Sequence, residues 1–391
     1  MSEIKKTPVD ALIVGAGYAG VVMAERLSSQ LGWKCVIVEQ RDHIAGNAYD
    51  YIDDAGVLIH KYGPHYFRSN SQRIVDYLSD FTEWSPVDYQ IKSYTRGKYW
   101  NFPINLNTFE QIVEREATSD EFEAWLEEQR EDIPEPRNSE EVITSQVGKE
   151  LYEMFFKGYT IKQWKKDPRE LDKSVCGRIP IRLNRDDNYL REKFQALPSK
   201  GYTAMFKNML DSVPDVEVLL GKSYKDTVEE YTFKKLIYTG PVDAYFKQCF
   251  GPLPYRSLRF EQESYSGEAL KEREKISGKK GFWQPAMQVN YPDEKVPFTR
   301  IVEVKHATGQ DVEATTIVKE YPEDFEVTGE PYYPVPMKES QEIYKKYKEL
   351  ADQEENVSFI GRLGTYKYYN MDQVVGMTLT EFEKIQNEYN R

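Results

Sequence analysis

The sequence predicts an α/β fold whose first part is a nucleotide-binding strand–helix–strand unit. An apolar strand over residues 11–14 leads into three glycines, and a helical segment follows them. Gly15 permits the tight turn, Gly17 lets backbone N–H groups approach a pyrophosphate, and Gly20 lets the helix lie close to the strand. The next apolar strand ends in Glu39, nineteen residues after Gly20, where a carboxylate can accept a hydrogen bond from a ribose hydroxyl. The pattern therefore predicts a bound dinucleotide.

The residues after the second strand help to distinguish between two dinucleotides. Gln40 and Arg41 follow Glu39, and Gly46 and Asn47 form a turn shortly afterwards. A basic residue just past the acid and a Gly-Asn turn are usual in FAD-binding chains of this type. NAD(P) sites more often carry a specificity Asp or Arg in a glycine-poor loop. We therefore expect FAD rather than NAD(P).

A second part of the dinucleotide domain is expected at the far end of the chain. An apolar strand ends at Gly361, and a helix is predicted from Asp372 to about residue 387. The start of this helix, at Met371 to Gln373, offers backbone N–H groups and the positive end of the helix dipole to a flavin. The dinucleotide domain is therefore expected to be discontinuous, with both chain ends in it.

Between these ends, the spacing of apolar residues predicts a helical region followed by a region of strands. Residues 108–164 contain capping residues that are followed by acids and by apolar side chains at helical spacing. Residues 215–320 contain several apolar runs of strand length. The charged segment 268–280 contains a glycine and is predicted to be a surface loop.

Composition limits the possible partners. The chain has 391 residues, enough for two or three domains, and its formal net charge is −13. This charge repels nucleic acid, so an anionic substrate needs a local basic pocket. No segment approaches the ~20 consecutive apolar residues of a transmembrane helix, so no membrane span is expected.

Cysteine and histidine usage argues against a metal site. Cys35, Cys176 and Cys249 are far apart and lack C-x-x-C spacing, and the four histidines are not at ligand spacing. We expect neither a disulfide nor a bound metal. No signal peptide is recognised, so a cytoplasmic protein is expected.

Several sequence segments, in chain order, resemble those of the bacterial-type UDP-galactopyranose mutases. They are HKYGPHYFR (60–68), FPINL (102–106), GKELYEMFFKGYTIKQW (148–164), RIPIRLNRDDNY (178–189), YRSLRF (255–260), NYP (290–292), VPFTR (296–300), PYYP (331–334) and GRLGTYKYYNMD (361–372). The resemblance extends from about residue 10 to about residue 380. It implies an FAD-binding Rossmann-like domain, an inserted helical domain and an antiparallel-sheet domain.

The resemblance and the element pattern together divide the chain into three domains. The expected ranges are residues 1–86, 200–248 and 340–391 for the FAD-binding domain, residues 87–170 for the helical domain with a mobile substrate lid near residues 164–180, and residues 171–199 and 249–339 for the β-sheet substrate domain.

The reaction that the resemblance implies is an isomerisation without net redox change. Members of this family interconvert UDP-galactopyranose and UDP-galactofuranose on a reduced flavin, whose N5 attacks the anomeric carbon while UDP departs. The sugar–flavin adduct opens to an iminium, recloses through another hydroxyl and recaptures UDP. The resemblance also implies a homodimer, and we expect NAD(P)H or another reductant to reduce the FAD in a transient encounter.

The resemblance assigns roles to individual residues of this chain. The catalytic set comprises Arg182, Arg300, His65, Tyr368 and Asn370, with Arg182 and Arg300 holding the diphosphate through their planar, permanently charged guanidinium groups. The substrate-binding set adds Phe155, Tyr159, Thr160, Trp164, Tyr189, Arg256, Asn290, Tyr333 and Arg68 to Arg182, Arg300 and Tyr368. The cofactor-binding set comprises Gly15, Gly17, Tyr18, Ala19, Gly20, Glu39, Gln40, Asn47, His65, Tyr66, Arg362, Tyr369, Asn370, Met371, Asp372, Gln373 and Val374.

A mobile loop is expected directly after Trp164. The segment Lys165 to Pro168 is charged and contains a proline, a composition typical of a mobile loop. We expect this loop to close on the nucleotide and Trp164 to move with it.

Two residues depart from the pattern of the family. Many members carry a second histidine where Arg68 stands, and some carry Asp where Asn370 stands. Arg68 places a long cation near the sugar. UDP-N-acetylgalactosamine, or another 2-substituted or acidic UDP-hexose, is therefore an alternative substrate.

Two other classes of function are considered on sequence grounds. A flavin oxidoreductase of the amine-oxidase or monooxygenase type would explain the first 60 residues, but not the paired arginines and the set of tyrosines. A non-catalytic protein that binds nucleotide sugars would carry the same pocket without turnover.

Overall fold

The computed structural model describes residues 6–335 and 337–390, and a five-stranded parallel sheet lies at the centre of its nucleotide-binding part. In sheet order, the strands are Val216–Leu220, Cys35–Glu39, Ala11–Val14, Lys235–Tyr238 and Val357–Phe359. All four pairings are parallel, so the carboxyl ends of the strands meet at one edge. Strands from both ends of the chain share this sheet, and the predicted α/β class is confirmed.

Two long helices cover one face of the parallel sheet. Helices Tyr18–Leu31 and Met371–Tyr389 pack against each other, and Ile13 lies in the same apolar cluster as their buried side chains. Leu12 and Val36 belong to a separate cluster. Because successive side chains of a strand point to opposite faces, neighbouring residues serve two different cores. The predicted final helix is confirmed, and it begins and ends within two residues of the predicted bounds.

A second, seven-stranded sheet forms the other main layer. In sheet order, its strands are Tyr333–Pro334, Tyr255–Tyr265, Thr315–Asp324, Arg300–Val302, Gln288–Asn290, Ile91–Thr95 and Lys98–Phe102. The pairing of Gln288–Asn290 with Ile91–Thr95 is parallel, and the other pairings are antiparallel.

The structure differs from two of the expected domain ranges. The sequence predicts a helical domain over residues 87–170, but the hairpin of residues 91–102 forms an edge of the seven-stranded sheet. Its side chains are buried in alternation, Ile91 and Ser93 on one strand and Trp100 and Phe102 on the other, as a strand pattern requires.

The range 171–199 also differs from the expected sheet domain. Ser174–Gly177 is a short helix, and Phe194–Pro198 pairs with Phe67–Ser69 and Trp84–Pro86 in a separate three-stranded antiparallel sheet. Residues 1–5, 336 and 391, which the expected ranges include, lie outside the described residues.

A helical region follows the edge hairpin. Its helices are Leu106–Val113, Ser119–Gln129, Ser139–Leu151, the π-helical turn Tyr152–Lys157 and Gly158–Trp164. The first three helices begin after Asn105, Thr118 and Asn138, whose side chains accept hydrogen bonds from backbone N–H groups of the first turn.

The predicted surface loop 268–280 is wrong over most of its length, because Gly267–Ser277 is an α-helix. Its sequence is rich in Glu, Lys and Arg, which are good helix formers. One apolar side chain, Leu270, is buried. The high charge content therefore indicated an exposed face and not an absence of helix.

The remaining regular elements are short or peripheral. The remaining strands are Thr7–Pro8 paired with Tyr231–Thr232, and Asp50–Ile52 paired with Leu58–His60. The remaining helices are Gln72–Ser79, Tyr202–Asp211, Tyr224–Thr227, Val242–Tyr245, Lys305–Thr308, Phe325–Thr328, Lys338–Ala351 and Gly361–Gly364, with 3-10 turns at Gly46–Ala48, Pro168–Glu170 and Val228–Glu230. Within residues 6–335 and 337–390, no helix has the length and apolar character needed to cross a membrane.

Candidate active site

A cavity of about 570 Å³ is lined by residues from the seven-stranded sheet, the three-stranded sheet, the helical region and the start of the final helix. The structure brings many of the predicted site residues to its wall. They are His65, Tyr66, Arg68, Phe155, Tyr159, Thr160, Trp164, Tyr189, Asn290, Arg300, Tyr333, Arg362, Tyr368, Asn370, Met371 and Gln373. Residues that are more than 300 positions apart in sequence therefore share one site.

The charge of this cavity is opposite to that of the whole chain. Its lining includes five arginines, Arg68, Arg178, Arg191, Arg300 and Arg362, and one acidic residue, Glu192. The chain as a whole carries a formal charge of −13. A local excess of cations in an acidic protein attracts an anionic ligand to this site.

Arg300 is held by a buried carboxylate. Its Nε lies 2.6 Å from Oε2 of Glu320, and Nη1 lies 3.4 Å from Oε1 of Gln288. Glu320 is 1% exposed, and its other oxygen, Oε1, has no hydrogen-bond partner among the described residues. Burial raises the pKa of Glu320, and the charge of Arg300 acts in the opposite direction. The carboxylate fixes the orientation of the arginine towards the cavity.

Two further arginines surround Tyr368. The guanidinium carbons of Arg178 and Arg362 lie 5.6 Å and 4.9 Å from the centre of its ring, and the ring of Tyr333 stacks on it at 5.4 Å. Desolvation works to raise the pKa of Tyr368, but the charges of Arg178, Arg362 and Arg300 together outweigh it and lower that pKa. These groups form a cluster of cations and phenol hydroxyls on one part of the wall.

The structure does not bring Arg182 to the cavity. Its guanidinium donates to the backbone carbonyls of Asn188 and Leu190, and its Nε lies 3.3 Å from a carboxylate oxygen of Asp186. These bonds hold the turn that follows it. Arg178, four residues earlier in the same segment, lines the cavity instead. The expected placement of Arg182 on the diphosphate is therefore corrected.

Arg256 also lies outside the cavity lining. Its side chain is 7% exposed, it forms an ion pair with Asp324, and its Nε lies 3.4 Å from the carbonyl of Gln163. Because Gln163 belongs to helix Gly158–Trp164, Arg256 attaches the end of this helix to the seven-stranded sheet. Its contacts are those of a structural residue and not those expected of a substrate ligand.

His65 has a defined tautomer in this site. Its Nδ1 lies 2.8 Å from the carbonyl oxygen of Gly63, which can only accept, so Nδ1 carries the proton and Nε2 is an acceptor. The backbone N–H of His65 donates to Nδ1 of His60 at 3.1 Å. Burial, followed by the effect of His60, lowers the pKa of His65 to about 3, and the charges of Arg362 and Arg300 act in the same direction.

The two residues that depart from the family pattern are neighbours. Nη2 of Arg68 donates to Oδ1 of Asn370 at 3.0 Å, and Nε of Arg68 lies 3.5 Å from a carboxylate oxygen of Glu192. Asn370 is also the N-cap of helix Met371–Tyr389, where its backbone N–H donates to Oε1 of Gln373 at 2.9 Å. The start of this helix therefore faces the cavity.

Aromatic and small polar side chains form another part of the wall. Phe155 lies in the π-helical turn and packs near Phe102, with ring centres 6.0 Å apart. The hydroxyl of Thr160 lies 3.5 Å from the sulfur of Cys176. A flat, largely apolar surface of this kind suits a nucleotide base.

The glycine turn is packed so closely that it has no room for side chains. Gly15 has φ +98°, and a Cβ there would collide with the hydroxyl of Thr239. A Cβ on Gly20 would collide with the carbonyl of Gly15, and one on Gly46 would lie 2.9 Å from Cα of Gly17. Glycine at these positions lets the turn pack closely in front of helix Tyr18–Leu31, without side chains that would cover its backbone N–H groups. The residues present therefore fit a dinucleotide pyrophosphate.

The other predicted cofactor residues lie around this turn or at the start of the final helix, outside the cavity lining. Glu39 accepts backbone N–H groups from Ala16 at 2.8 Å and from Arg41 at 2.9 Å. Asn47 accepts from Arg41 at 3.0 Å. The ring of Tyr18 packs in the core against Phe206 and Tyr202, so only its backbone faces the turn. Ala19 and Gly20 lie in the first turn of the helix, and Gln40 is exposed. Asp372 and Val374 lie in the first turn of the final helix, and Tyr369 directly precedes its N-cap.

Several cavity residues were not predicted from the sequence. They include Tyr62, Tyr89, Phe102, Phe156, Gln163, Arg178, Arg191, Glu192 and Gln288. Arg178 and Arg182 lie in the same recognised segment, so sequence spacing alone did not separate them. Tyr89 and Gln288 form a hydrogen bond that only the folded chain brings together.

Comparison with known proteins places the chain in a family. The family described as UDP-galactopyranose mutase matches residues 154–368, and the one described as NAD(P)-binding Rossmann-like domain matches residues 13–81. A probable UDP-galactopyranose mutase of Klebsiella pneumoniae is 37% identical over 381 residues, 97% of this chain and 94% of that protein. A dTDP-fucopyranose mutase of Escherichia coli is 34% identical over 369 residues, 92% of this chain and 94% of that protein.

Solved structures share the fold at low sequence identity. A crystal structure of reduced UDP-galactopyranose mutase aligns with a TM-score of 0.74 at 18% identity, covering 98% of this chain and 95% of that chain. A putative protoporphyrinogen oxidase from Exiguobacterium sp. aligns with a TM-score of 0.66 at 11% identity, covering 98% and 100%. From the family match and its relatives together, the chain belongs to the UDP-galactopyranose mutase family of isomerases.

Proposed function

We propose that this protein interconverts UDP-galactopyranose and UDP-galactofuranose with the help of reduced FAD. The observation that carries the proposal is the cationic cavity, in which Arg178, Arg300 and Arg362 surround a pair of stacked tyrosines. A diphosphate with an attached sugar is the kind of anion that such a cluster recognises.

The glycine turn and the start of the final helix would hold FAD. Backbone N–H groups of the turn would bind the pyrophosphate, and Glu39, whose oxygens have acceptor capacity beyond their two backbone bonds, would bind a ribose hydroxyl. Reduced FAD, when bound, supplies the nucleophile for the anomeric carbon of the sugar. Arg362 donates only to backbone carbonyls among the described residues, so its charge is available to an anion.

Arg178 and Arg300 would hold the diphosphate of the substrate. When the bond between the sugar and UDP breaks, negative charge grows on the leaving phosphate, and fixed guanidinium groups stabilise it. Arg300 needs no reorganisation because Glu320 already orients it. Holding UDP in place also lets it return to the rearranged sugar instead of diffusing away.

The stacked pair Tyr333 and Tyr368 would donate phenol hydroxyls to the same phosphate. Desolvation raises the pKa of Tyr333, so this hydroxyl keeps its proton at neutral pH. A neutral donor orients the phosphate without adding a full charge that would hold UDP too tightly.

His65 would contribute a neutral acceptor beside the sugar and the flavin. Its low pKa keeps the ring uncharged at pH 7, and the bond to Gly63 leaves Nε2 free to accept a hydrogen bond. An uncharged imidazole avoids competition with the arginines for the leaving phosphate. The ring would therefore orient a hydrogen-bond donor through Nε2 and would not neutralise the charge of the leaving phosphate.

The segment after Trp164 would act as the lid. Lys165 has φ +52°, a left-handed conformation that ends helix Gly158–Trp164. Arg178 lies within the proposed lid near residues 164–180, and its side chain is exposed although it lines the cavity. Closure of the lid would bring this guanidinium onto the bound diphosphate and remove it from water.

The first experiment measures FAD uptake and oxygen consumption. The purified protein is expected to bind FAD and, once reduced with dithionite, to convert UDP-galactose without oxygen consumption in proportion to product. Oxygen consumption stoichiometric with an oxidised product would instead establish an oxidoreductase. Binding of UDP without any turnover by the reduced protein would establish a binding protein.

A second candidate substrate is a 2-substituted or acidic UDP-hexose such as UDP-N-acetylgalactosamine. The observation that favours it is the contact of Arg68 with the neutral amide of Asn370, which leaves the arginine a donor in the cavity wall. A carbonyl or carboxylate on the sugar would accept from it. Competition between UDP-galactose and UDP-N-acetylgalactosamine for the reduced protein tests this candidate.

Three further properties are part of the proposal. They are transient reduction of FAD by NAD(P)H or another reductant, a homodimer and a cytoplasmic location. The family resemblance supports the homodimer, which light scattering of the purified protein tests directly.

A further inference from the structure

Lys162 is a buried lysine at the back of the cavity wall. It is 8% exposed, and its Nζ lies within hydrogen-bond distance of the backbone carbonyls of Tyr291, Asp293, Val296 and Phe298, the last three at 2.9, 3.0 and 2.9 Å. Its three N–H groups are therefore shared among four acceptors. All four acceptors belong to the loop of residues 291–299, which we call the carbonyl loop. The ammonium group therefore occupies the centre of this loop.

The carbonyl loop joins two strands that carry cavity residues. It connects Gln288–Asn290 to Arg300–Val302, and Asn290 and Arg300 both line the cavity. The loop is closed by a hydrogen bond of 2.8 Å from the N–H of Tyr291 to the carbonyl of Thr299. Arg300 directly follows this loop, so the conformation of the loop influences the position of Arg300 in the cavity wall.

Lys162 itself belongs to helix Gly158–Trp164, whose residues Tyr159, Thr160 and Trp164 also line the cavity. Gly158, four residues before Lys162, faces the same loop, and a Cβ there would collide with the carbonyl of Pro292. Residues four apart lie on one side of a helix. The helix therefore contacts the carbonyl loop through the backbone of Gly158 and through the buried ammonium group of Lys162.

We propose that Lys162 is a positioning residue that sets the spacing between helix Gly158–Trp164 and Arg300, and thereby shapes the site for the nucleotide diphosphate. This inference rests on the proposed function. Lys162 does not line the cavity, so it acts through the residues that it holds. A neutral side chain at this position leaves buried carbonyls without a donor, and the loop then has to rearrange to find other partners.

The test measures UDP binding by titration calorimetry on the FAD-loaded protein. Lys162→Met, which keeps length without charge, is expected to weaken UDP binding at least tenfold, with unchanged FAD content. Lys162→Arg keeps the charge in a different shape and is expected to give an intermediate loss. Lys149→Met, at an exposed lysine of helix Ser139–Leu151, is the matched control and is expected to leave UDP binding unchanged.

A rescue experiment separates positioning from a general loss of stability. Lys162→Ala removes three methylenes and the ammonium group, which propylammonium replaces. Added propylammonium is expected to restore UDP binding at least severalfold in Lys162→Ala and to have no effect on the wild type. Tetramethylammonium, which cannot donate a hydrogen bond, is expected to restore nothing.

The inference is overturned if Lys162→Met or Lys162→Arg binds UDP within twofold of the wild type while the melting temperature falls, since Lys162 is then only structural. If Lys162→Met does not fold, Lys162→Arg and the propylammonium series give the answer. A wild-type protein that takes up FAD but binds no UDP would overturn the proposed function itself, and this inference with it.

Discussion

Nη2 of Arg68 donates a hydrogen bond of 3.0 Å to Oδ1 of Asn370, although the two residues are 302 positions apart in the chain. At both positions, this sequence departs from the pattern of the UDP-galactopyranose mutase family. Arg68 already lies 3.5 Å from a carboxylate oxygen of Glu192, and an aspartate at 370 would place a second carboxylate beside it, whereas the amide adds no charge. The two departures are therefore one change in the chemistry of the site.

Arg68→His tests whether this pair selects the sugar. We expect the ratio of kcat/KM for UDP-N-acetylgalactosamine to that for UDP-galactose to fall about tenfold, which corresponds to about 1.4 kcal/mol of differential transition-state binding. Asn370→Asp is expected to change the ratio in the same direction, because the carboxylate competes for Arg68. A ratio that is unchanged in both variants would exclude Arg68 from sugar recognition.

Arg178 and Arg182 are expected to respond differently to substitution. Arg178→Ala removes a guanidinium from the cavity and is expected to lower kcat/KM by about 10²–10³-fold, the usual loss when one group that stabilises developing charge is removed. Arg182→Lys breaks bonds to backbone carbonyls and is expected to cost about 1–2 kcal/mol of unfolding free energy.

The control for this comparison is the activity of folded Arg182→Lys. It is expected to remain close to that of the wild type, because Arg182 does not line the cavity. Steady-state kinetics and urea unfolding of both variants measure the two effects separately. Severe loss of activity in stable Arg182→Lys, with Arg178→Ala active, would restore the assignment made from the sequence.

The buried pair of Arg300 and Glu320 makes a prediction for stability. Arg300→Met leaves the carboxylate of Glu320 buried without its partner and is expected to lower the unfolding free energy by about 3–5 kcal/mol. Arg300→Met combined with Glu320→Gln removes the unpaired charge and is expected to recover part of that loss. Urea denaturation of the two variants measures the difference, and a double variant less stable than Arg300→Met would contradict this explanation.

The histidine pair makes a prediction for pH dependence. Burial lowers the pKa of His60 to about 4, and burial together with His60 lowers that of His65 to about 3, against about 6.5 in an unfolded chain. Between pH 6.5 and 4 the unfolded chain therefore binds protons that the folded chain does not, and stability falls as the pH falls.

His60→Asn isolates one member of the pair. The amide oxygen of Asn can still accept the N–H of His65, but the side chain no longer titrates. We expect the slope of unfolding free energy against pH in this window to decrease by about 1.4 kcal/mol per pH unit. Parallel curves for the variant and the wild type would show that His60 titrates normally in the folded protein.

The local elements of the nucleotide-binding part were predictable because each follows from short-range rules. The strand Ala11–Val14, the glycine turn and the acid Glu39 occupy the predicted positions, and the final helix begins at Met371. Glycine geometry, strand alternation and helix capping depend on neighbouring residues, which the sequence displays directly.

Most of the wrong predictions concern residues whose placement depends on contacts with distant parts of the chain. Arg178 and Arg182 have the same chemistry and lie four residues apart, and only the turn stabilised by Arg182 decides which one reaches the cavity. The hairpin of residues 91–102 pairs with strand Gln288–Asn290, which follows it by almost 200 residues. Helix Gly267–Ser277 was missed because its single buried leucine gives a weak apolar pattern.

The most direct test of the account is the separation of ring isomers by chromatography. Dithionite-reduced, FAD-loaded protein is incubated with UDP-galactopyranose, and in parallel with UDP-N-acetylgalactosamine and a dTDP-fucose control. The proposed function predicts that UDP-galactofuranose appears, that the oxidised protein forms none, and that Arg178→Ala forms it far more slowly. A reduced protein that binds FAD and UDP but forms no furanose from any UDP-hexose would contradict it.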